Sequence, residues 1–142
     1  GFYGVLKPFD GVVPYRLEMQ AGLSVEGKKD LYAFWGRRLY CRLMEDNEDG
    51  VILNLASKEY AGAVEPYVKT PCRFITVSFE EDVDGKRKQK GTFAKMARGE
   101  MVRFLAENGI EDIEGVKRFT GSGYRFREEL SGEWNYVFVK EK

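Results

Sequence analysis

The chain has 142 residues, 43% of them hydrophobic, with ten Phe, eight Tyr and two Trp, a globular composition that supports a packed core and lies well outside that of disordered chains. Its 23 Lys and Arg balance 23 Asp and Glu, so no global field draws it to a polyanion or an anionic membrane, and any nucleic-acid site must be a local patch. The absence of histidine removes the usual general base, histidine-activated serine chemistry and most zinc or non-haem iron sites.

From the N-terminus, Gly4, Pro8, Gly11 and Pro14 punctuate a loop that ends in a strand-like Tyr15 to Met19, with Arg16 and Glu18 on one face. Asp30 can cap a helix in which Leu31, Trp35, Leu39 and Leu43 recur every four residues, which puts Trp35 in the core and Arg37, Arg38 and Arg42 away from that stripe. The acids Glu45, Asp46, Glu48 and Asp49 lead through a solvated turn to Gly50 and a short strand, Val51 to Leu55. Ser57 can cap a helix of one or two turns carrying Glu59 and Tyr60, which stops near Pro66. Arg73 to Phe79 alternates as a strand, Asp84-Gly85 is a hairpin signal, and Arg87 to Lys90 is its basic second arm.

A helix is expected from about Thr92 to Glu107, with Phe93, Ala97, Met101, Phe104 and Leu105 inward and Lys95 and Gly99 outward, flanked by Arg98 and Arg103. Asn108-Gly109 stops it, a shorter helix is expected over Ile113 to Phe119, and Val137 to Val139 close the chain as a strand. Cys41 and Cys72 are too few for a disulfide framework and read as reduced thiols of a cytosolic protein; no apolar run approaches the roughly 20 residues of a membrane helix.

Two constellations stand out. Between Lys86 and Arg103 there are seven basic residues and one acid, a local net of +6. The segment from Lys95 through the turn at Asn108-Gly109-Ile110 to Lys117 and Arg118 has the layout of a helix-hairpin-helix, in which backbone amides hold phosphates without reading bases; a plain helical hairpin that closes the core fits the same spacing. The usual motif has an uncharged hairpin with two nearby glycines, whereas Glu111, Asp112 and Glu114 lie between Gly109 and Gly115, as acids favoured at a helix N-terminus would. The second constellation, Arg16, Glu18, Asn54, Ser57, Glu59 and Tyr60, could line a polar pocket for a small anion or an uncharacterised enzymatic reaction, or form a network that orders loops. Ser57 has no histidine to activate it, and an iron site would need carboxylates alone.

Several blocks resemble the YaaA family of bacterial peroxide-stress proteins: Gly1-Phe2-Tyr3-Gly4-Val5-Leu6-Lys7-Pro8, Pro14 to Met19, Leu31-Tyr32 with Phe34-Trp35-Gly36, Asn54-Leu55-Ala56-Ser57 with Glu59-Tyr60, Ala94-Lys95 with Ala97-Arg98-Gly99, and Gly123-Tyr124-Arg125-Phe126. The resemblance implies a cytoplasmic protein that protects cells during hydrogen peroxide stress, with a DNA-binding role, a helix-hairpin-helix element and no established catalysis. It favours Lys95, Arg98, Arg103, Gly109, Lys117 and Arg118 as the DNA face. It also places residues 1–142 as a single domain forming the C-terminal part of the family pattern, with an N-terminal portion absent.

The expected fold is α+β, a mixed, largely antiparallel sheet with packed helices and a helix-hairpin-helix-like element near the C-terminus. The expected function is binding rather than catalysis: sequence-independent attachment to double-stranded DNA, including bent or damaged DNA, without a cofactor or metal.

Overall fold

The computed structural model describes residues 2–22 and 24–141. Gly1 and Lys142, the ends of the expected single domain, and Leu23 lie outside the described residues; Gly1 is also the first residue of the opening family block. The chain packs as two units, Gly1–Val51 with Ala56–Arg73, and Ile52–Leu55 with Phe74–Lys142.

The first unit is helical. Asp30 caps α1 (Leu31–Trp35) as its spacing indicates, accepting a hydrogen bond from the Ala33 amide at 2.8 Å. The single helix expected through Leu43 is broken instead: Gly36 takes φ +50°, ψ −137°, and the chain restarts as α2 (Arg38–Glu45). That backbone conformation is open to glycine and costly for other residues, so the four-residue stripe survives while the helix does not. Arg38 covers the break, its guanidinium donating to the carbonyls of Phe34 and Trp35 and lying 4.7 Å from the Phe34 ring centre.

Met19, Leu31, Leu39 and Ala63 form the core of this unit, with Leu17, Tyr32, Phe34, Trp35 and Val64 packed against it, which agrees with the core assignment of Trp35. The strand expected at Tyr15 to Met19 does not form. The Met19 amide donates to Glu59 Oε1 at 2.8 Å, and the Glu18 carbonyl accepts from Ala21 in a turn, so backbone groups that a ladder would use are taken by a side chain and a turn. Leu17 and Met19 still alternate into the core.

The second unit holds a five-stranded mixed sheet with strands β1 (Val51–Asn54), β2 (Arg73–Val83), β3 (Lys86–Lys88), β4 (Tyr124–Phe126) and β5 (Asn135–Lys140). The order is β1-β2-β5-β4, with β3 antiparallel to β2. β2 and β5 run parallel, from Thr76 opposite Asn135 to Glu80 opposite Val139, while β4 and β5 are antiparallel. β4 has no counterpart among the expected elements; three residues after a glycine pair carry too little periodicity to be read as a strand. Helix α3 (Lys58–Ala61) of the first unit and α4 (Gly91–Glu107) of the second lie close to their expected spans.

β2 is the spine of this unit. Ile75, Val77 and Phe79 are almost fully buried at alternate positions, and α4 contributes Ala94, Ala97 and Met101 to the core. Phe93, expected inward, is 44% exposed at the start of α4.

The helix-hairpin-helix expected near the C-terminus is not formed. The second helix, α5 (Ile113–Val116), is a single turn. After it the bonds tighten to three-residue spacing, Arg118 to Gly115 and Phe119 to Val116, as Phe119 turns into the core against Phe79, Phe104 and Phe138. Burial of that ring ends the helix before a second arm can grow.

The β2–β3 hairpin follows its sequence signal. Asp84 at φ +53° and Gly85 at φ +72° make a two-residue turn between paired Val83 and Lys86. A Cβ at Gly85 would meet no atom within 4 Å, so backbone strain alone decides a substitution there. Gly85→Val is expected to cost about 1–2 kcal/mol, measured by urea denaturation, whereas Gly85→Asn should cost clearly less because asparagine tolerates the left-handed region.

Candidate nucleic-acid interface

α4 turns its small side chains to the core, which leaves Lys95, Gly99, Val102 and Ala106 along the outer face. Lys95 is exposed and has no ion-pair partner among the described residues. Arg98 is half-buried, with its Nε enclosed and without a hydrogen-bond partner among those residues. Arg103 is neutralised within the helix: its Nε lies 2.7 Å from Glu107 Oε1, and that hydrogen bond raises the guanidinium pKa further above its ordinary value. Met96 and Val102, each 56% exposed, make this face less basic than the sequence suggests.

Gly109 sits at φ +57° in the turn after α4. Asp112 accepts the Gly115 amide at 2.7 Å, so a side chain of the protein occupies the start of α5, where a phosphate-binding hairpin would offer free amides. Lys117 donates to Glu114 at 2.6 Å and lies 5.4 and 5.3 Å from the ring centres of Phe126 and Tyr136, so it is bound up in the surface of the sheet. The Glu114 hydrogen bond raises its pKa. Arg118 is exposed and has no ion-pair partner among the described residues. Of the six expected positions, Lys95, Arg98 and Arg118 therefore present unpaired charge, Arg103 and Lys117 are paired, and Gly109 shapes the turn.

The polar set of the first unit is spread out. Arg16 and Glu18 lie outside the core, Tyr60 is 45% exposed, and Ser57 stands at the N-cap of α3 without a side-chain capping bond. Glu59 is engaged through its carboxylate by the Met19 amide and through its carbonyl by the Tyr32 hydroxyl at 2.7 Å, and burial raises the Tyr32 pKa. Asn54 belongs to the second unit, where it is buried and donates to Thr76 Oγ1 at 3.1 Å.

A group centred on Glu81, which neither sequence constellation includes, lies at the far end of β2. Glu81 continues the inward row of Ile75, Val77 and Phe79 and is 9% exposed. Lys90 Nζ lies 3.0 Å from its Oε2, Lys140 Nζ lies 3.6 Å from its Oε1, and the Tyr124 hydroxyl donates to Oε1 at 3.1 Å. The Lys90 hydrogen bond leads the causes that hold the Glu81 pKa below its ordinary value, and burial with the Glu81 contact pushes Tyr124 up to about 12. The period-two pattern of β2 carried the signal for Glu81; of its partners, Tyr124 and Lys140 come from distant segments. Among the described residues no three Cys, Asp or Glu side chains gather as a metal site, both cysteines are free, and no helix is long and apolar enough to cross a membrane.

An α+β protein with unpaired basic residues on one helix is a broad class, and comparison with known proteins narrows it. The family model described as peroxide stress protein YaaA matches residues 1–130. A UPF0246 protein of Limosilactobacillus reuteri is 55% identical over 138 residues, covering 97% of this chain and 55% of the relative. UPF0246 proteins of Agathobacter rectalis and Desulfitobacterium hafniense are 50% and 51% identical over 140 residues, each alignment covering 99% of this chain and 55% of the relative. The chain belongs to the peroxide stress protein YaaA family, and it spans about half the length of these curated relatives.

The buried tyrosine gives a test in alkali. Between the ordinary tyrosine pKa of about 10 and its folded value of about 12, the folded chain keeps the Tyr124 proton that the unfolded chain has lost. This contribution to stability is complete below pH ~10 and disappears as pH rises through ~12. Tyr124→Phe, which removes a hydrogen bond to a carboxylate, is expected to cost about 1.5–3 kcal/mol at neutral pH and to flatten the alkaline fall in melting temperature. Phenolate absorbance should lose its late-titrating component.

Proposed function

We propose that this chain is part of a cytoplasmic DNA-binding protein of the bacterial peroxide-stress response, one that attaches to double-stranded DNA without reading sequence and protects it from oxidative damage. The observation that carries this reading is the set of unpaired basic side chains, Lys95, Arg98 and Arg118, in a unit of a chain whose overall charge is zero. Attraction of that kind is local and electrostatic. Each phosphate neutralised by a Lys or Arg releases counterions, so affinity falls with salt and varies little with base sequence.

Membership of the peroxide-stress family supplies the setting, and the lack of histidine favours a binding role over a catalytic one. With a single turn at α5 and Asp112 on its amides, the contact is made through side chains of α4 and Arg118 rather than through hairpin backbone.

Fluorescence anisotropy with a labelled duplex across a salt series tests the proposal. Lys95→Glu and Arg118→Glu, combined, replace exposed side chains and should leave the fold intact by circular dichroism. Affinity is expected to fall by at least tenfold at low salt, about 1.4 kcal/mol, with equal effect on duplexes of unrelated sequence. Binding unchanged in the folded variant would move the site off this face, and no salt-sensitive binding by the parent chain would remove the DNA reading.

A further inference from the structure

Along β2 and β3 the acids and bases cancel when counted in sequence, since Glu80, Glu81, Asp82 and Asp84 face Lys86, Arg87, Lys88 and Lys90 in number. The pairing register sorts them in space. Lys88 stands opposite Glu81, Arg87 opposite Asp82, and Lys86 opposite Val83. Directly opposed residues share a face and neighbours along a strand alternate, so Lys86 and Lys88 fall on the Glu81 side, while Arg87 lies on the other side with Asp82 and Glu80.

The Glu81 side also receives Lys90 and Lys140, which both reach its carboxylate and both lie against the Phe93 ring, at 5.6 and 4.9 Å from its centre. Lys90 and Lys140 thus share one acid, and Lys86 and Lys88 stand on the same side of the hairpin. Lys86 and Lys88 are exposed and have no ion-pair partner among the described residues, and the one carboxylate across from Lys88 is already taken. On the opposite side, β2 and β3 alone carry two acids to one Arg.

We propose that Lys86, Lys88, Lys90 and Lys140 form a phosphate-gripping face for duplex nucleic acid at the end of the sheet. The proposal rests on the DNA-binding reading above and assigns it a second contact surface. Glu81 serves as the buried anchor that fixes Lys90 and Lys140, and the β2–β3 hairpin holds Lys86 and Lys88 beside them, about 6.8 Å apart along one edge. Fixed ammonium groups lose less freedom on meeting a phosphate backbone than free surface lysines do. A membrane surface fits less well, because the hairpin, residues 84–90, has no apolar side chain to enter the lipid boundary and the half-exposed Phe93 ring beside it lies against the Lys90 and Lys140 ammonium groups.

The test compares Lys86→Gln with Lys88→Gln as a double variant against Arg87→Gln as a control on the opposite side, in the 142-residue chain, with hairpin integrity checked by circular dichroism and thermal melting. For a fluorescein-labelled duplex, the slope of log affinity against log salt is expected to become shallower by about 1.8 in the double variant, about 0.9 for each phosphate no longer neutralised. Arg87→Gln should leave the slope close to the parent value. An unchanged slope in the double variant, or an equal change with Arg87→Gln, overturns this face while leaving the α4 reading in place. A parent chain that binds no duplex overturns both. Loss of binding to phosphatidylserine vesicles in the double variant, with duplex binding intact, also overturns the proposal and assigns the face to lipid.

Discussion

Phe79 is the residue on which the second unit depends. Its ring, fully buried near the middle of β2, meets Tyr124 at 5.1 Å, Phe138 at 5.5 Å and Phe119 at 5.8 Å between centres. Those three rings come from β4, β5 and the segment after α5, so one side chain registers three chain segments against the same strand. Aromatic pairs of this kind are each worth about 0.5–1.5 kcal/mol beyond their buried area. The cluster also explains why α5 is so short, since Phe119 leaves the helical path to join it. The shape of the C-terminal segment is therefore set by core packing.

Two residues along β2 from Phe79, the same inward row reaches Glu81, and here the row changes from apolar contact to charge. Burial makes an unpaired carboxylate costly, and two lysines and a tyrosine hydroxyl answer that cost. The core and the proposed phosphate surface are joined in this way, because the rings that hold β4 and β5 in place also deliver Tyr124 and Lys140 to Glu81. The family match brings a peroxide-stress context to this fold.

Much of this was legible in the sequence where the pattern was local. The Asp84-Gly85 turn, the Asp30 cap, the alternation of β2 and the span of α4 each arise from a few neighbouring residues. What was not legible depended on distant partners. Gly36 interrupts a helical stripe that reads as continuous, and the Tyr15 to Met19 alternation places side chains correctly even though its backbone bonds to Glu59 and within a turn. The basic residues of the candidate site could be counted but not assigned. Arg103 and Lys117 close on Glu107 and Glu114 along their own segments, whereas Arg118, one residue further from Glu114 in sequence, leaves that acid to Lys117. The sorting of charge across the hairpin required the register, which a sequence does not state.

The two tryptophans are divided between the units, Trp35 against the helical core of the first and Trp134, 53% exposed, just before β5 in the second. Each unit thus carries its own intrinsic fluorophore, one in an apolar setting and the other partly in water. Their emission differs in wavelength for that reason, and a single spectrum recorded during unfolding contains two separable signals. Coincident changes would mean that the two units melt as one cooperative system, and a blue-edge change displaced from the red-edge change would mean that each melts by itself.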